Sequence, residues 1–255
     1  MKQALQSILR QAGEIILNAE SFRVEQKEGH ANFVTNVDED VQRFLINELQ
    51  QLLPSSRIIG EEQENDELTA DPTWVIDPLD GTTNFIHDYR FSAISVALLK
   101  NRKPVIGAVY QPYNQELFYA AKGEGAFLND QPIHVSSTPI QQALIGFGTS
   151  PYHPRLAEKS MQAALVFLQN AADVRRCGSA ALDLAYVAAG RQDVYFELTL
   201  KPWDYAAGAL LVEEAGGCFA MPTLKENDYG QSAAVLAANA ECMATASEWL
   251  KPFWL

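Results

Sequence analysis

The sequence predicts a mixed α/β (α+β) fold, and three patterns taken in chain order predict it. Apolar residues recur at helical spacing twice near the start, over residues 5–16 and 41–52. Residues 57–135 consist of short runs rich in β-forming side chains, separated by Gly, Pro and Asn turns. After residue 139, helical and strand patterns alternate. These patterns predict two amphipathic helices, a mostly antiparallel meander and an alternating α/β region.

The first 138 residues are expected to form one lobe. Its two amphipathic helices should both lie on a sheet, because each has one apolar face. A polar loop or hairpin around Gly29 should separate them, and the second helix should begin near Asp38. The strands of the meander are then RIIG, WVID, FSAISVALL, VIGAVY and ELFYAA.

Residues 139–255 are expected to form a second lobe. Helices are predicted around 156–170, over 179–189 and over about 204–215, with a last helix near the C-terminus. Strands are predicted near 173–176 and at DVYFE, GCFAM and AAVLAAN. No repeat or linker-like composition separates the two lobes, so residues 1–255 are predicted to form one domain with a shared core.

Composition narrows the classes of function. The chain has 32 Asp and Glu against 19 Lys and Arg and contains no basic block, which disfavours nucleic acid as a ligand. Its three cysteines are scattered and include no Cys-x-x-Cys pair, so a reducing cytoplasm is the expected location. Charged residues interrupt the apolar N-terminal segment, so neither a signal peptide nor a membrane partner is expected.

An acidic turn follows one of the predicted strands. In WVIDPLDGTTNF, the apolar run is followed by Asp77 and Asp80, with Pro78 fixing one φ angle and Gly81 permitting an unusual one. Two carboxylates about 4 Å apart repel by roughly 4 kcal/mol at an effective dielectric constant of about 20. One of them is therefore protonated, or a cation lies between them. Ligation by oxygen alone favours Mg²⁺, Mn²⁺ or Ca²⁺ over zinc.

Two further acidic positions stand at element ends. Glu61 follows the strand IIG, and Asp204 lies in the first turn of a helix. Each has an ordinary explanation by itself, a solvated loop or a helix cap. Together with the acidic turn they form the kind of cluster that two-metal phosphoryl-transfer sites need. Residues 178–180, at the start of another helix, can either present N–H groups to an anion or polyol, or allow close helix packing.

These residues resemble a known family, the Mg²⁺-dependent, lithium-sensitive inositol monophosphatases, and its bacterial members in particular. The resemblance rests on DPLDGTTNF and WDYAAGALLVEEAGG, with GEE, VTNVD and GSAALDLAYVAAGR in the family's order, and it spans about residues 27–239. It implies a layered α/β/α/β/α sandwich of the inositol monophosphatase and fructose-1,6-bisphosphatase type, and a homodimer. It also implies a single catalytic domain that hydrolyses a small phosphate monoester through metal-activated water, without a covalent enzyme intermediate. Inositol 1-phosphate is the substrate that the resemblance favours.

The resemblance also assigns roles to residues. Two or three Mg²⁺ ions, with Mn²⁺ as a substitute, are expected at Glu61, Asp77, the main-chain carbonyl of Leu79, Asp80 and Asp204. Glu61 and Thr82, with Asp38 behind them, are expected to position and activate the attacking water. The residues expected to bind a phosphorylated polyol or sugar are Asp80, Gly81, Thr82, Gly178, Ser179, Ala180, Glu197 and Asp204.

Two stretches depart from the family pattern. CFAMPTLKENDYG lacks the Gly pair that usually follows EAGG, so the edge of the second lobe is expected to differ. FGTSPYHPRLAEKS, residues 147–160, also differs and is expected to border either the sugar pocket or a dimer contact. Both departures concern the substrate and leave the expected metal ligands in place.

Several alternatives stay open from the sequence. Haloacid dehalogenase phosphatases carry Asp-x-Asp-Gly-Thr, in which the aspartates are two apart instead of three; an aspartyl-phosphate on Asp77 would identify that class. Within the resembled family, fructose bisphosphate, histidinol phosphate and NADP are alternative substrates, whereas Thr83 disfavours the 3′-phosphoadenosine group, which usually has Lys there. A regulatory or binding protein that retains the fold is the third alternative. A zinc site is disfavoured, since no two histidines stand at ligand spacing among His30, His87, His134 and His153.

Overall fold

The computed structural model describes residues 1–27, 32–224 and 228–254. Helices and sheets alternate in layers as helix, sheet, helix, sheet and helix, with a hydrophobic cluster at each contact between layers. The predicted α/β fold and its layered sandwich are therefore confirmed. The loop predicted around Gly29 and the turn position of His30 lie outside the described residues, as do residues 225–227 in the divergent stretch after EAGG.

The first layer contains the two predicted helices. Helix α1 is Lys2–Leu17 and α2 is Asn36–Leu52, and a short antiparallel pair, β1 (Val24–Gln26) and β2 (Phe33–Thr35), lies between them. Both helices bury their apolar faces against one side of the large sheet, as predicted. Helix α2 begins two residues before Asp38, because the side chain of Thr35 accepts a hydrogen bond from the N–H of Val37 at 3.2 Å and caps the helix there.

The large sheet is the predicted meander. Its strands within the described ranges are β3 (Arg57–Gly60), β4 (Thr73–Asp80), β5 (Ala93–Lys100), β6 (Lys103–Gln111), β7 (Glu116–Ala121), β8 (Gly125–Leu128) and β9 (Gln131–Ile133). They are hydrogen-bonded in chain order. Strands β3 and β4 are parallel, and each later pair is antiparallel.

Strand β4 does not end at Asp77, so the tight turn predicted there is wrong in detail. Asp77 pairs with Ser95 and Asp80 with Ala93, so three steps along β4 match two along β5. The extra residue forms a bulge, which turns the end of the strand without ending its pairing. Gly81 follows with φ of 92°, as its position predicted, and the short helix α3 (Thr82–Ile86) begins there.

The second sheet is built from alternating elements, as predicted. Its strands are β10 (Leu144–Phe147), β11 (Asp173–Arg175), β12 (Val194–Leu200), β13 (Cys218–Ala220) and β14 (Ala233–Ala238). Its helices are α4 (Ala157–Asn170), α5 (Ala180–Ala188), α6 (Pro202–Glu214) and α7 (Ala240–Leu250). The described strands follow the order β11-β10-β12-β14-β13, with β10 parallel to both of its neighbours and β14 antiparallel to both of its own.

Helices α5 and α6 fill the space between the two sheets. Small residues make this possible: a Cβ atom at Gly107 would lie 2.6 Å from the carbonyl oxygen of Ala207, and one at Gly208 would lie 2.5 Å from the Cβ of Leu184. Helices α4 and α7 cover the outer side of the second sheet. The starts of α5 and α6 thereby lie beside the end of β4, where the acidic residues stand. In the described part of the chain, no helix is both long and apolar enough to cross a membrane.

Candidate metal and phosphate site

A cavity of about 380 Å³ lies where the two sheets and the middle helices meet. The ends of β3, β4 and β12, the starts of α3, α5 and α6, and the loop after β10 form its walls. All but one of the predicted site residues line it; these are Glu61, Asp77, Leu79, Asp80, Gly81, Thr82, Gly178, Ser179, Ala180, Glu197 and Asp204. Asp38, the exception, lies behind this wall and is hydrogen-bonded to Thr82.

Acidic side chains form one wall of the cavity. Asp77 is buried at the bulge of β4, and Glu61, Asp80 and Asp204 are partly exposed toward the cavity. Burial raises the pKa of Glu61 to about 8 and that of Asp80 to about 6, and it raises the pKa values of Asp77 and Asp204 as well. Neighbouring carboxylates add to each of these increases. The wall therefore binds either protons or cations at neutral pH.

The donor set of this wall fits Mg²⁺ or Mn²⁺ better than zinc. It consists of oxygen atoms alone, from carboxylates and the main-chain carbonyl of Leu79. Over residues 1–27, 32–224 and 228–254, no three His, Cys, Asp or Glu side chains are grouped closely enough to hold an ion by themselves. Mg²⁺ commonly takes one or two carboxylates and completes its shell with water and substrate oxygens, so an open wall suits it.

Asp80 connects the acidic wall to the start of α5. One of its oxygens, Oδ2, accepts hydrogen bonds from the hydroxyl of Ser179 at 2.6 Å and from the N–H of Ala181 at 2.7 Å. Ser179 is also the N-cap of α5. The predicted metal residue and the predicted substrate loop are thus held together directly.

Thr82 and Asp38 form a hydrogen-bonded pair at the start of α3. The hydroxyl of Thr82 lies 3.1 Å from Oδ1 of Asp38 and 3.2 Å from the carbonyl oxygen of Leu79. The other oxygen of Asp38 accepts hydrogen bonds from the backbone N–H of Thr35 at 2.8 Å and from its hydroxyl at 2.5 Å. Burial raises the pKa of Asp38 to about 6. The pair predicted from the resemblance is brought together, and α2 fixes its orientation.

Glu197, the residue expected to bind substrate hydroxyls, has two partners within the protein. Its Oε1 accepts a hydrogen bond from the N–H of Ser150 at 2.6 Å, and its Oε2 accepts one from the hydroxyl of Tyr195 at 2.7 Å. A Cβ atom at Gly148 would lie 1.9 Å from Oε2, so no other residue fits there without movement. Glu197 therefore anchors the loop after β10, besides facing the cavity.

Other residues of the cavity wall were assigned no individual role from the sequence. The ammonium group of Lys27 is hydrogen-bonded to Glu62 and lies 3.8 Å from Oε1 of Glu61, so Glu62 belongs to an ion pair at the edge of the acidic wall. Tyr152 lies in the stretch 147–160, which was expected to border either the sugar pocket or a dimer contact, and it lines the cavity from a loop. Arg176 also lines the cavity from a loop, where the sequence holds no spacing signal.

Asp183 is a further unpredicted residue of the wall. It is buried inside α5 and accepts a hydrogen bond from the side-chain amide of Gln192 at 2.8 Å. Burial raises its pKa to about 8. The sequence did carry a signal here, since an acidic residue in the apolar helix ALDLA needs a buried polar partner or a function.

Comparison with known proteins agrees with this geometry. The model of the inositol monophosphatase family matches residues 1–250. Inositol monophosphatase 3 of Solanum lycopersicum is 41% identical over 228 residues, which cover 86% of this chain and 85% of that protein. Nus factor SuhB of Xylella fastidiosa is 40% identical over 216 residues, covering 82% and 77%.

A solved structure shares the fold as well. An IMPase/NADP phosphatase complexed with Mg²⁺ and phosphate superimposes with a TM-score of 0.88 at 26% sequence identity, covering 98% of this chain and 94% of that one. The family match removes the haloacid dehalogenase alternative. This chain belongs to the inositol monophosphatase family, and with it to the phosphoric monoester hydrolases.

Proposed function

We propose that this protein is a Mg²⁺-dependent phosphatase of small phosphorylated polyols or sugars, with inositol 1-phosphate as its preferred substrate. The observation that carries the proposal is the acidic wall of the cavity. Its carboxylates are enclosed together, and they stand beside Gly81, Thr82 and the start of α5. An anionic substrate approaches such a wall only when cations reverse its charge.

Each part of the wall has a proposed task. The residues that would hold two or three Mg²⁺ ions, or Mn²⁺ in their place, are Glu61, Asp77, Leu79 through its carbonyl, Asp80 and Asp204. Such ions supply positive charge to the phosphate and favour deprotonation of water near neutral pH. Glu61 and Thr82 position the attacking water, and Asp38 orients the hydroxyl of Thr82, which lies 3.1 Å from its Oδ1.

The substrate is bound in the proposal by backbone and side-chain groups of both lobes. Gly81 and Thr82 donate N–H groups to the phosphate. Residues 178–180 and Glu197, which line the same cavity, face the polyol. The proposal includes a single catalytic domain, a homodimer and inhibition by Li⁺, which the resemblance supports. It also includes a cytoplasmic location, which the scattered cysteines support.

Phosphate release tests this proposal. The purified chain is given inositol 1-phosphate, fructose 1,6-bisphosphate, histidinol phosphate and NADP, with and without Mg²⁺. We expect release that requires Mg²⁺, is fastest for inositol 1-phosphate and is inhibited by millimolar Li⁺. A faster reaction with another member of the panel would replace the proposed substrate, and no release from any member would refute the proposal.

A regulatory role is the second candidate. It is favoured by the 40% identity to a protein named Nus factor SuhB. The predicted metal ligands all stand in the cavity wall here, which favours an active phosphatase over a protein that kept only the fold. The regulatory role becomes the first candidate if the panel gives no release.

A further inference from the structure

The loop of residues 148–153, between β10 and α4, is fixed to the end of β12. Besides the hydrogen bond of Ser150 to Glu197, the N–H of Gly148 donates to the carbonyl oxygen of Phe196 at 2.9 Å. The N–H of Thr199 donates to the hydroxyl of Ser150 at 3.2 Å. Ser150 is buried and has φ of 46°, a left-handed conformation that a non-glycine residue keeps only when its surroundings impose it.

Tyr152 projects from this fixed base into the mouth of the cavity. It lines the same cavity as the acidic wall, and 52% of its surface is exposed. Its phenol is neutral near pH 7, as an ordinary tyrosine is. The cavity mouth thus carries a large uncharged ring with an apolar face and a polar tip.

The cavity lining also includes polar groups near Tyr152. Residues 178–180 at the start of α5 line the cavity, as does Arg176, whose Nη2 donates to the hydroxyl of Thr149 in the 148–153 loop at 3.3 Å. A ligand whose phosphate lies at the acidic wall therefore shares the cavity with an aromatic ring and with hydrogen-bonding groups. Pockets that combine apolar cover with a few placed polar groups fix the orientation of their ligands.

We propose that Tyr152 determines the substrate specificity of this cavity by covering the apolar C–H face of a cyclic polyol or sugar phosphate, and that Glu197 promotes this binding by anchoring the 148–153 loop. The inference rests on the proposed function, since it takes the phosphate to lie at the acidic wall. Small acyclic phosphates carry no ring face for Tyr152 to cover. Selection thus arises from the carbon skeleton and leaves the phosphate contacts unchanged.

Binding measured without turnover tests the role of Tyr152. Calorimetry in Ca²⁺ gives the affinities of inositol 1-phosphate, glycerol 2-phosphate and inorganic phosphate for the wild type and for Tyr152→Ala. We expect the variant to bind inositol 1-phosphate about fivefold to tenfold more weakly, the factor that corresponds to covering one ring face. Its affinity for the two smaller ligands should change by less than about twofold, because they make no contact with the ring.

Two further variants serve as controls. Tyr152→Phe keeps the ring and should bind like the wild type. Tyr89→Ala removes a tyrosine that is 65% exposed and lies outside the described lining of the cavity, so it should change no affinity. Equal weakening of all three ligands by Tyr152→Ala, or of none, would overturn the inference.

The anchoring role of Glu197 is tested by a double-mutant cycle with Glu197→Gln and Tyr152→Ala. If Glu197 acts through the loop as well as by its proposed contact with the polyol, the loss of affinity in the double variant should be smaller than the sum of the two single losses. Fully additive losses would show that Glu197 does not act through Tyr152 and would overturn this part. If the wild type binds inositol 1-phosphate but never hydrolyses it, the proposed function fails, while the binding ratios still decide the role of Tyr152.

Discussion

Asp80 and Ser179 stand 99 positions apart in the chain, and their side chains are joined by a hydrogen bond of 2.6 Å. Asp80 ends strand β4 of the large sheet, and Ser179 caps helix α5 between the sheets. The same carboxylate oxygen accepts the N–H of Ala181 at 2.7 Å. The position of Asp80, a proposed metal ligand, therefore depends on the start of α5. The position of the substrate loop at residues 178–180 depends in turn on Asp80.

The first prediction removes this bond with Ser179→Ala. The variant should lose about 1 kcal/mol of unfolding free energy, because α5 loses its N-cap. It should also need about tenfold more Mg²⁺ for half-maximal phosphate release, the lower end of the roughly 10- to 100-fold that such orienting partners are worth, because the N–H of Ala181 still holds Asp80. Denaturant unfolding and Mg²⁺ titration of phosphate release measure the two effects.

Ser160→Ala is the matched control for that substitution. Ser160 is fully buried in α4, and its hydroxyl has no hydrogen-bond partner among the residues the structure describes. Removing an unpaired buried hydroxyl should leave stability unchanged or raise it slightly. The assigned role of Ser179 would be contradicted by a Mg²⁺ requirement that is the same in both variants.

The second prediction concerns the acidic wall. Asp80→Asn or Asp204→Asn should lower Mg²⁺-dependent phosphate release by at least about a hundredfold, because each substitution removes the charge of a proposed metal ligand. Loss of a group that merely orients such a ligand already costs up to about a hundredfold in metal affinity or activity. The fold should persist, since either substitution also relieves repulsion among neighbouring carboxylates. Initial rates and thermal unfolding by circular dichroism measure activity and fold.

Asp66→Asn is the control for the acidic wall. The side chain of Asp66 is 86% exposed and contacts Arg57 at the surface, so its amide variant should keep wild-type activity. Wild-type turnover in both wall variants would show that the phosphate reacts elsewhere on the protein.

Much of the acidic wall could be predicted because its residues are carried by contiguous motifs. Asp77, Leu79 and Asp80 come from one strand and its end, so their proximity needs no long-range information. The bulge between Asp77 and Asp80 could not be predicted, since it is defined by the pairing of β4 with β5 and not by the residues of β4 alone.

The substrate side of the cavity was less predictable. Glu197 was identified from the resemblance, but its bonds to Ser150 and Tyr195 depend on how the loop after β10 meets β12. The stretch 147–160 was expected to border the sugar pocket or a dimer contact, but its loop has no periodicity that would mark Tyr152 as the residue in the cavity wall. Short motifs thus identified the acidic wall, whereas the sugar side required the tertiary structure.

The third prediction concerns Asp183 and pH. Burial raises the pKa of this carboxyl from 3.8 to about 8, so between these values the folded protein binds a proton that the unfolded chain releases. The unfolding free energy should therefore fall as the pH rises from about 4 to about 8, by up to about 1.4 kcal/mol per pH unit from this group. Asp183→Asn cannot ionise, so its unfolding free energy should lack this part of the pH dependence.

Denaturant unfolding of wild type and Asp183→Asn across this pH range measures the difference. Other buried carboxyls contribute equally to both proteins, so subtracting the two curves isolates Asp183. The unfolding free energy of the variant minus that of the wild type should increase with pH. The side-chain amide introduced by Asp183→Asn still offers an oxygen that accepts the hydrogen bond from Gln192. Parallel curves would mean that Asp183 is not protonated in the folded protein near neutral pH.

The fourth prediction separates chemistry from binding at Thr82. Its hydroxyl lies 3.1 Å from Asp38, and in the proposed function it positions the attacking water. Thr82→Val keeps the shape but removes the hydroxyl, so kcat should fall by about a hundredfold or more while KM changes by less than about threefold. Thr82→Ser keeps the hydroxyl and should retain most of kcat. Steady-state kinetics with inositol 1-phosphate decides the matter, because an unchanged kcat in Thr82→Val would place the water-positioning group elsewhere in the cavity.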